Sequence, residues 1–238
     1  KKFPIFQLIQ ALFKSKILTE VDLSRFIEKS FTGPLASIDV VIPTIGRAKY
    51  LKKVFQDLAN QTHVPNKVIV IEQNAIENAP TELHFIKDNS WPFKIEHQLI
   101  YQLGACNARN MALQLVESDY VFLADDDIEF DKNIIEKALS FMQANQVGAT
   151  TLECLRIGDK PFFTNIFQWG TFGSGCSIVK TDFINNKFFD LNYEFGFGED
   201  ADFGMQLRNV GCDILYFPNS TIIHIKAPIG GFRTKFVH

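Results

Sequence analysis

The chain is poor in several features that mark whole classes of protein. Its four cysteines, Cys106, Cys154, Cys176 and Cys212, lie far apart with no CxxC pair, which excludes the spacing of a zinc knuckle or a redox motif. They read as small buried apolar residues in a protein of a reducing compartment. No uninterrupted apolar run approaches the roughly 18 residues needed to span a bilayer. An excess of positive charge is missing too: the formal net charge is −3, which argues against a broad electrostatic footprint for nucleic acid. The sequence shows no internal repeat and no low-complexity tract, and its start at Lys1 rather than a methionine reads as a trimmed beginning.

What is present is ordinary globular material. The 238 residues are 46% hydrophobic and 21% charged, with 24 phenylalanines, enough for one large α/β domain with a sizeable core or for two small ones. Residues 1–37 read as a helical extension. Phe6, Ile9 and Phe13 share one face, Thr19-Glu20-Val21-Asp22 is a helix start, and Gly33-Pro34 breaks the pattern. Packing against the main domain is the preferred reading of this preface; peripheral attachment to a membrane surface through Lys14 and Lys16 is the other.

From Ile38 the chain alternates. Ile38–Ile42 is a strand, Leu51, Val54, Phe55 and Leu58 recur at helical spacing, and Lys67–Ile71 is a second strand. Further strands are expected at 95–101, 120–124 and 148–155. Helices are expected on the stripes Ala105/Ala108/Ala112/Leu115 and Ile134/Ile135/Ala138/Leu139/Met142. Such alternation implies a mainly parallel sheet with helices on both faces, whose ligand sits beyond the carboxyl ends of the strands. Residues 162–198, rich in Phe, Gly and Asn around Trp169, suit loops and short strands laid over one side of a site. Trp169 is either a ring that stacks on a ligand or a core residue.

The apolar stretch Tyr120–Ala124 ends in Asp125-Asp126-Asp127. Three carboxylates at a strand end repel one another and resist desolvation, a cost that a cation or hydrogen-bond donors must offset. Oxygen ligands suit a hard divalent ion that also holds substrate phosphates. The structural alternative is a solvated acidic turn leading to the next helix. Other strand ends carry polar groups that packing does not require. Pro43-Thr44-Ile45-Gly46-Arg47 offers a close turn and a phosphate-pairing cation, or only a solvated helix start. Glu72-Gln73-Asn74 stands where an acidic group reads ribose hydroxyls in nucleotide-binding sheets. Arg109 and Asn110 follow a small-residue turn and face either the cleft or water. Glu199 and Asp200 open a helix marked by Phe203 and Leu207; they are either an acidic N-cap or a carboxylate poised to accept a proton. His224 ends Thr221-Ile222-Ile223 as a core residue or a third metal ligand. Gly230-Gly231 before Arg233 and Lys235 suits a lid over a diphosphate.

In their order, VVIPTIGR, VIVIEQN, GACNARNMAL, YVFLADDD, GSGCSIVK, FGEDADFGMQLRNVG and IIHI resemble the family 2 glycosyltransferases of the GT-A fold, over residues 38–226. The resemblance implies an α/β, Rossmann-like, mainly parallel sheet flanked by helices, with a donor-binding half near 38–130 and an acceptor half near 131–238. It implies inverting transfer from a nucleotide-diphospho-sugar, commonly a UDP-sugar, to a hydroxyl of a glycan or lipid-linked saccharide in polysaccharide or glycoconjugate synthesis. The cytoplasm is the expected location, either free in it or at the inner face of the membrane. By motif position Asp200 is the base. Pro43, Thr44, Arg47, Glu72, Arg109, Asp125, Asp126 and Gly175 hold the donor, with Gly173-Ser174-Gly175 letting backbone approach the sugar. Asp127 and His224 hold Mn²⁺ or Mg²⁺.

This chain departs from the pattern at Glu72-Gln73-Asn74, where many relatives have an Asp-Asp-Gly-Ser-like turn, and at Ala124, where an acidic residue is common. It also lacks the QxxRW motif of processive synthases, so single addition is expected. Two other readings stand beside it: a nucleotidyltransferase that makes sugar nucleotides, and a non-catalytic sugar-nucleotide or glycan-binding domain.

Overall fold

The computed structural model describes residues 31–161, 163–168, 172–194, 196–228 and 230–231. The helical extension is therefore outside the described residues up to residue 30, as are Trp169, Arg233 and Lys235. In chain order come β1 (Ile38–Thr44), α1 (Ala48–Ala59), β2 (Lys67–Gln73), α2 (Phe85–Asp88), β3 (Lys94–Ile100), α3 (Ala105–Leu113), β4 (Tyr120–Ala124) and β5 (Ile128–Phe130). Then follow α4 (Ile134–Asn145), β6 (Ala149–Arg156), β7 (Phe167–Gln168), β8 (Cys176–Lys180), α5 (Thr181–Ile184), α6 (Glu199–Asn209) and β9 (Ile214–His224).

One sheet runs β3-β2-β1-β4-β8-β6-β9-β5, with β7 paired to β9. Its first four strands are parallel, as the alternating pattern requires. The second half is mixed: β8 is antiparallel to both β4 and β6, β6 and β9 are parallel, and β5 and β7 run antiparallel to β9. The β6–β9 register slips between Leu152/Phe217 and Glu153/Thr221. Pro218 lies within the skipped stretch, and a residue without an N–H suits a bulge rather than a regular ladder.

Alternate residues of each strand face opposite sides of the sheet, and the central strands are apolar on both. On one side Val40, Ile42, Val68, Val70 and Phe122 pack with Leu51, Val54, Phe55 and Leu58 of α1 and with α4. On the other, Val41, Ile69, Ile71, Val121 and Leu123 pack with Ala108 and Ala112 of α3 and with Phe203 and Leu207 of α6. The helix stripes read from the sequence are the buried ones, except that Ala105 is only half-buried and lines the cleft and Leu115 lies beyond the end of α3. Phenylalanine supplies much of the filling. The Phe55 ring sits 5.3 Å from Phe85 and 5.1 Å from Trp91, edge to face, and Phe189 stacks on Phe203 at 4.2 Å.

The polar Asp39 within β1 is almost fully buried. Its carboxylate accepts from the Glu117 and Ser118 N–H groups and from the Ser118 hydroxyl, pinning the turn that delivers β4 beside β1. Asp39→Ala orphans those donors in the core and is expected to cost about 3 kcal/mol in urea unfolding.

Candidate active site

The parallel strands β1 and β4 end side by side, so the loops after them meet. Asp125, Asp126 and Asp127 leave β4 in three directions. Asp126 turns back under β1 and is buried, accepting from the Thr44 hydroxyl at 2.7 Å and from Arg47 at 2.9 Å. Burial pushes its pKa up to about 6 against the opposing pull of Arg47 and Thr44. Its surroundings suit holding the β1 loop to β4, and Thr44 is committed to the same contact.

Asp127 is 1% exposed. Its Oδ2 accepts from the Ala227 N–H at 2.8 Å and lies 3.2 Å from Arg47. Burial works to raise this carboxyl, but His224, Ala227 and Arg47 outweigh it and hold the pKa below the usual 3.8. Oδ1 faces His224 Nε2 at 3.2 Å, yet the ring is not directed at it, and among the described residues Oδ1 has no hydrogen-bond partner. A buried charged oxygen without a donor is costly, and a cation would satisfy it. Ligand atoms of Asp125, Asp127 and His224 all lie within 4.8 Å of one another. Two carboxylates and an imidazole in that space fit Mn²⁺ or Mg²⁺. Proximity to Asp127 pushes the His224 pKa up to about 10.

Asp125 faces the open side. Its carboxylate pairs with Arg109 at 3.1 Å, and its N–H donates to the Gly175 carbonyl. Arg109 comes from the buried face of α3, with its guanidinium 5.7 Å from the Phe189 ring and a buried Nε without a partner among the described residues. A β-carbon added at Gly175 would lie 2.2 Å from Asp125 Oδ2. Because the obstacle is the tip of a movable side chain, Gly175→Ala is expected to leave the melting temperature nearly unchanged. It should swing Asp125 away and weaken Mn²⁺ binding about tenfold in a titration, the scale of a lost supporting contact.

Asp200 stands on the other wall, in the first turn of α6 after Gly198, whose φ of +111° suits glycine. Its Oδ1 accepts from the Ser174 N–H at 3.3 Å. Burial raises its pKa above 3.8, while Ser174 and Arg109 lower it and Glu199 and Asp125 add to the rise. The Ser174 N–H that holds Asp200 adjoins Gly175, whose carbonyl holds the Asp125 N–H, so the carboxylate stands on the triplet's side of the molecule and not on a remote face. A cavity of about 350 Å³ lies beside the triplet, lined among others by Pro43, Arg47, Arg109, the three aspartates, Glu199, His224 and Lys226; on α6 it is Glu199, not Asp200, that lines it.

Glu72 is placed differently. Its carboxylate is buried under β2, where it accepts from Thr81, the Glu82 N–H and His97, and it is not among the cavity's lining residues. Burial raises its pKa, but those contacts outweigh it and leave a net fall below 4.5.

Several contributors were not legible in the sequence. The segment after β9 crosses the cleft: Ile225 and Ala227 N–H groups hold the Asp127 carbonyl and carboxylate, while Lys226 between them adopts φ +54° and lines the cavity. Gly230-Gly231, which the sequence did mark as part of a lid, lies against the loop after β1: Gly231 donates to the Ile45 carbonyl, and Gly230 passes so near that a β-carbon would lie 2.5 Å from Ile45 O. Glu194 caps α3 from afar, accepting from the Cys106 and Asn107 N–H groups. The signal was negative: Gly104-Ala105 supplies no local side-chain cap, so the orphan N–H groups needed one from elsewhere. Cys154, expected to be buried, is exposed, unlike the other three cysteines.

Among the described residues no helix is long and apolar enough to cross a membrane. Residues 39–200, more than half of the chain, match the family described as Glycosyl transferase family 2. A Rickettsia bellii protein named as an uncharacterized glycosyltransferase is 26% identical over 148 residues, 61% of this chain and 21% of its own length. The glycosyltransferase GlyG of Streptococcus pneumoniae is 26% identical over 101 residues, 42% of this chain and 33% of its own. The chain thus spans between a fifth and a third of the relatives it matches. Among solved structures, S. aureus TarS 1-349 in complex with UDP-GlcNAc superposes with a TM-score of 0.68 at 17% identity, covering 84% of this chain and 62% of that one. GalNAc-T7 with UDP, GalNAc and Mn2+ gives 0.66 at 13% identity, covering 80% and 43%. These likenesses show the fold, which is the GT-A architecture.

Proposed function

The chain belongs to glycosyl transferase family 2, and from that premise we propose that it transfers a sugar, with inversion, from a nucleotide-diphospho-sugar of the uridine type to an acceptor hydroxyl. The observation that carries the reading is the meeting of Asp125, Asp127 and His224 within 4.8 Å at a cavity whose other wall is the start of α6. The UDP and UDP-GlcNAc complexes of TarS support a uridine nucleotide.

Asp125, Asp127 and His224 would hold Mn²⁺ or Mg²⁺, which when bound supplies positive charge to the departing diphosphate. The protein's own cations at the cleft, Arg109 and Lys226, suit the same anion. Asp200 accepts the proton of the acceptor hydroxyl as its oxygen attacks the anomeric carbon from the face opposite the nucleotide. One displacement inverts the centre, and no covalent enzyme intermediate is needed. Burial serves this role, since a carboxylate with a raised pKa is a stronger base. The acceptor is a glycan or lipid-linked saccharide of polysaccharide or glycoconjugate synthesis.

Incubation with a panel of UDP-sugars, Mn²⁺ and saccharide acceptors tests the reading. The expected result is UDP release that requires acceptor for its full rate. Pyrophosphate release from UTP and a sugar 1-phosphate would instead favour a nucleotidyltransferase.

A further inference from the structure

Beside the acidic cleft the strands bring together a second pair of reactive side chains, which sugar transfer does not use. Cys154 lies on β6 opposite Ile222 of β9. On its other side β6 runs antiparallel to β8, with Thr151 opposite Ser177, so continuing the ladder by one step brings Leu152 to Cys176 at the start of β8. Residues two apart on a strand share a face, and diagonal cross-strand neighbours lie about 7–8 Å apart, so a bond between two thiols there shifts the backbone. Cys154 and Cys176 therefore share the face that carries Leu152 and Ile222. The two thiols and the His224 ring are near enough to act on one another's charge. Cys154 is exposed and Cys176 buried, while Cys106 and Cys212 are packed in the core on the other side of the sheet. An accessible thiol backed by a buried one is the arrangement of a redox-sensing pair.

We propose that Cys154 and Cys176 form a reversible oxidation site, at which a peroxide joins them as a disulfide and thereby weakens the adjoining cation site. The disulfide stands on the strand geometry alone; its effect on the cation rests on the glycosyltransferase reading. The Cys154 sulfur attacks hydrogen peroxide, breaking the O–O bond to give a sulfenic acid and one water. The Cys176 sulfur then displaces the hydroxyl from the Cys154 sulfur, and that hydroxyl leaves with the thiol proton as a second water. Two thiols give up two electrons, and the peroxide accepts them. The new bond draws Cys154 away from His224 and ties β6 to the start of β8. There the Gly175 carbonyl holds the Asp125 N–H, so the supports of two cation ligands shift together.

The test uses the full reduced chain treated with hydrogen peroxide, digested without reductant and mapped by mass spectrometry. A 154–176 cross-link that dithiothreitol reverses is expected, and Cys176→Ser should stop at a sulfenic acid on Cys154 that dimedone traps. In parallel, Mn²⁺ binding read by electron paramagnetic resonance should weaken about tenfold on oxidation, recover with dithiothreitol, and resist peroxide in Cys154→Ser. Intact thiols, oxidation at Cys106 or Cys212 instead, or Cys154 joined to a second chain would overturn the proposal. A cross-link that leaves Mn²⁺ affinity unchanged would overturn the control it exerts. Absence of Mn²⁺ binding in the reduced protein would overturn that control by removing the cation site, with the cross-link unaffected.

Discussion

Asp200→Asn is expected to bind nucleotide as the wild type does and to lose sugar transfer about a thousandfold, the scale of a missing general base. The replacement is isosteric, and its carbonyl oxygen can still accept from the Ser174 N–H that holds Oδ1 now, so the wall of the cleft stays in place while the proton acceptor disappears. The loss should fall on kcat rather than on donor affinity. Wild-type activity should also decline as pH falls through the Asp200 pKa, which burial raises above 3.8, because the base works only when ionised. That acid limb should vanish from the residual rate of the variant. Glu199, the neighbour that lines the cavity, is the internal control: full transfer by Asp200→Asn together with a dead Glu199→Gln would move the role one residue back.

Asp127→Ala is expected to abolish measurable Mn²⁺ binding, with an affinity loss of a hundredfold or more, larger than the roughly 10–100-fold typical of a supporting contact. The same change strips the Ala227 N–H of its acceptor and Arg47 of a partner, so about 2 kcal/mol of stability should go with it. Asp127→Asn separates the two effects. Its amide oxygen can keep the Ala227 contact, so the melting temperature should stay near the wild type while Mn²⁺ binding remains lost. If Asp127→Asn titrates Mn²⁺ like the wild type, the cation is held elsewhere.

The strands and helices that build the sheet were readable because their apolar periods are long and uninterrupted. Tyr120–Ala124 stops at the first carboxylate, and the Leu51/Val54/Phe55/Leu58 stripe is the face that α1 buries. The second half was less open. β8 is a central strand between β4 and β6, but it is short, and its buried Ser177 is satisfied by Thr151, a partner that no local pattern announces. β9 is interrupted by Pro218 and its register slip, so only its final residues before His224 stood out.

At the site, the sequence could collect acidic residues but could not say where each oxygen points. The adjacent Asp125, Asp126 and Asp127 look alike in a string. In space Arg109 takes the first, Thr44 and Arg47 the second, and Ala227 with His224 the third. Glu72 looked like a ribose reader because it ends β2. Its contacts with His97, Thr81 and the Glu82 N–H come from residues 9 to 25 positions away, which a strand-by-strand reading does not join.

Calorimetric titration of the protein with UDP, with and without Mn²⁺, bears most directly on the central claim that the β4 aspartates and His224 form a cation-dependent nucleotide site. UDP should bind at least about tenfold more tightly with Mn²⁺, a coupling of about 1.4 kcal/mol, and Asp127→Asn should erase the difference. Equal UDP affinity in the presence and absence of the cation would contradict the account.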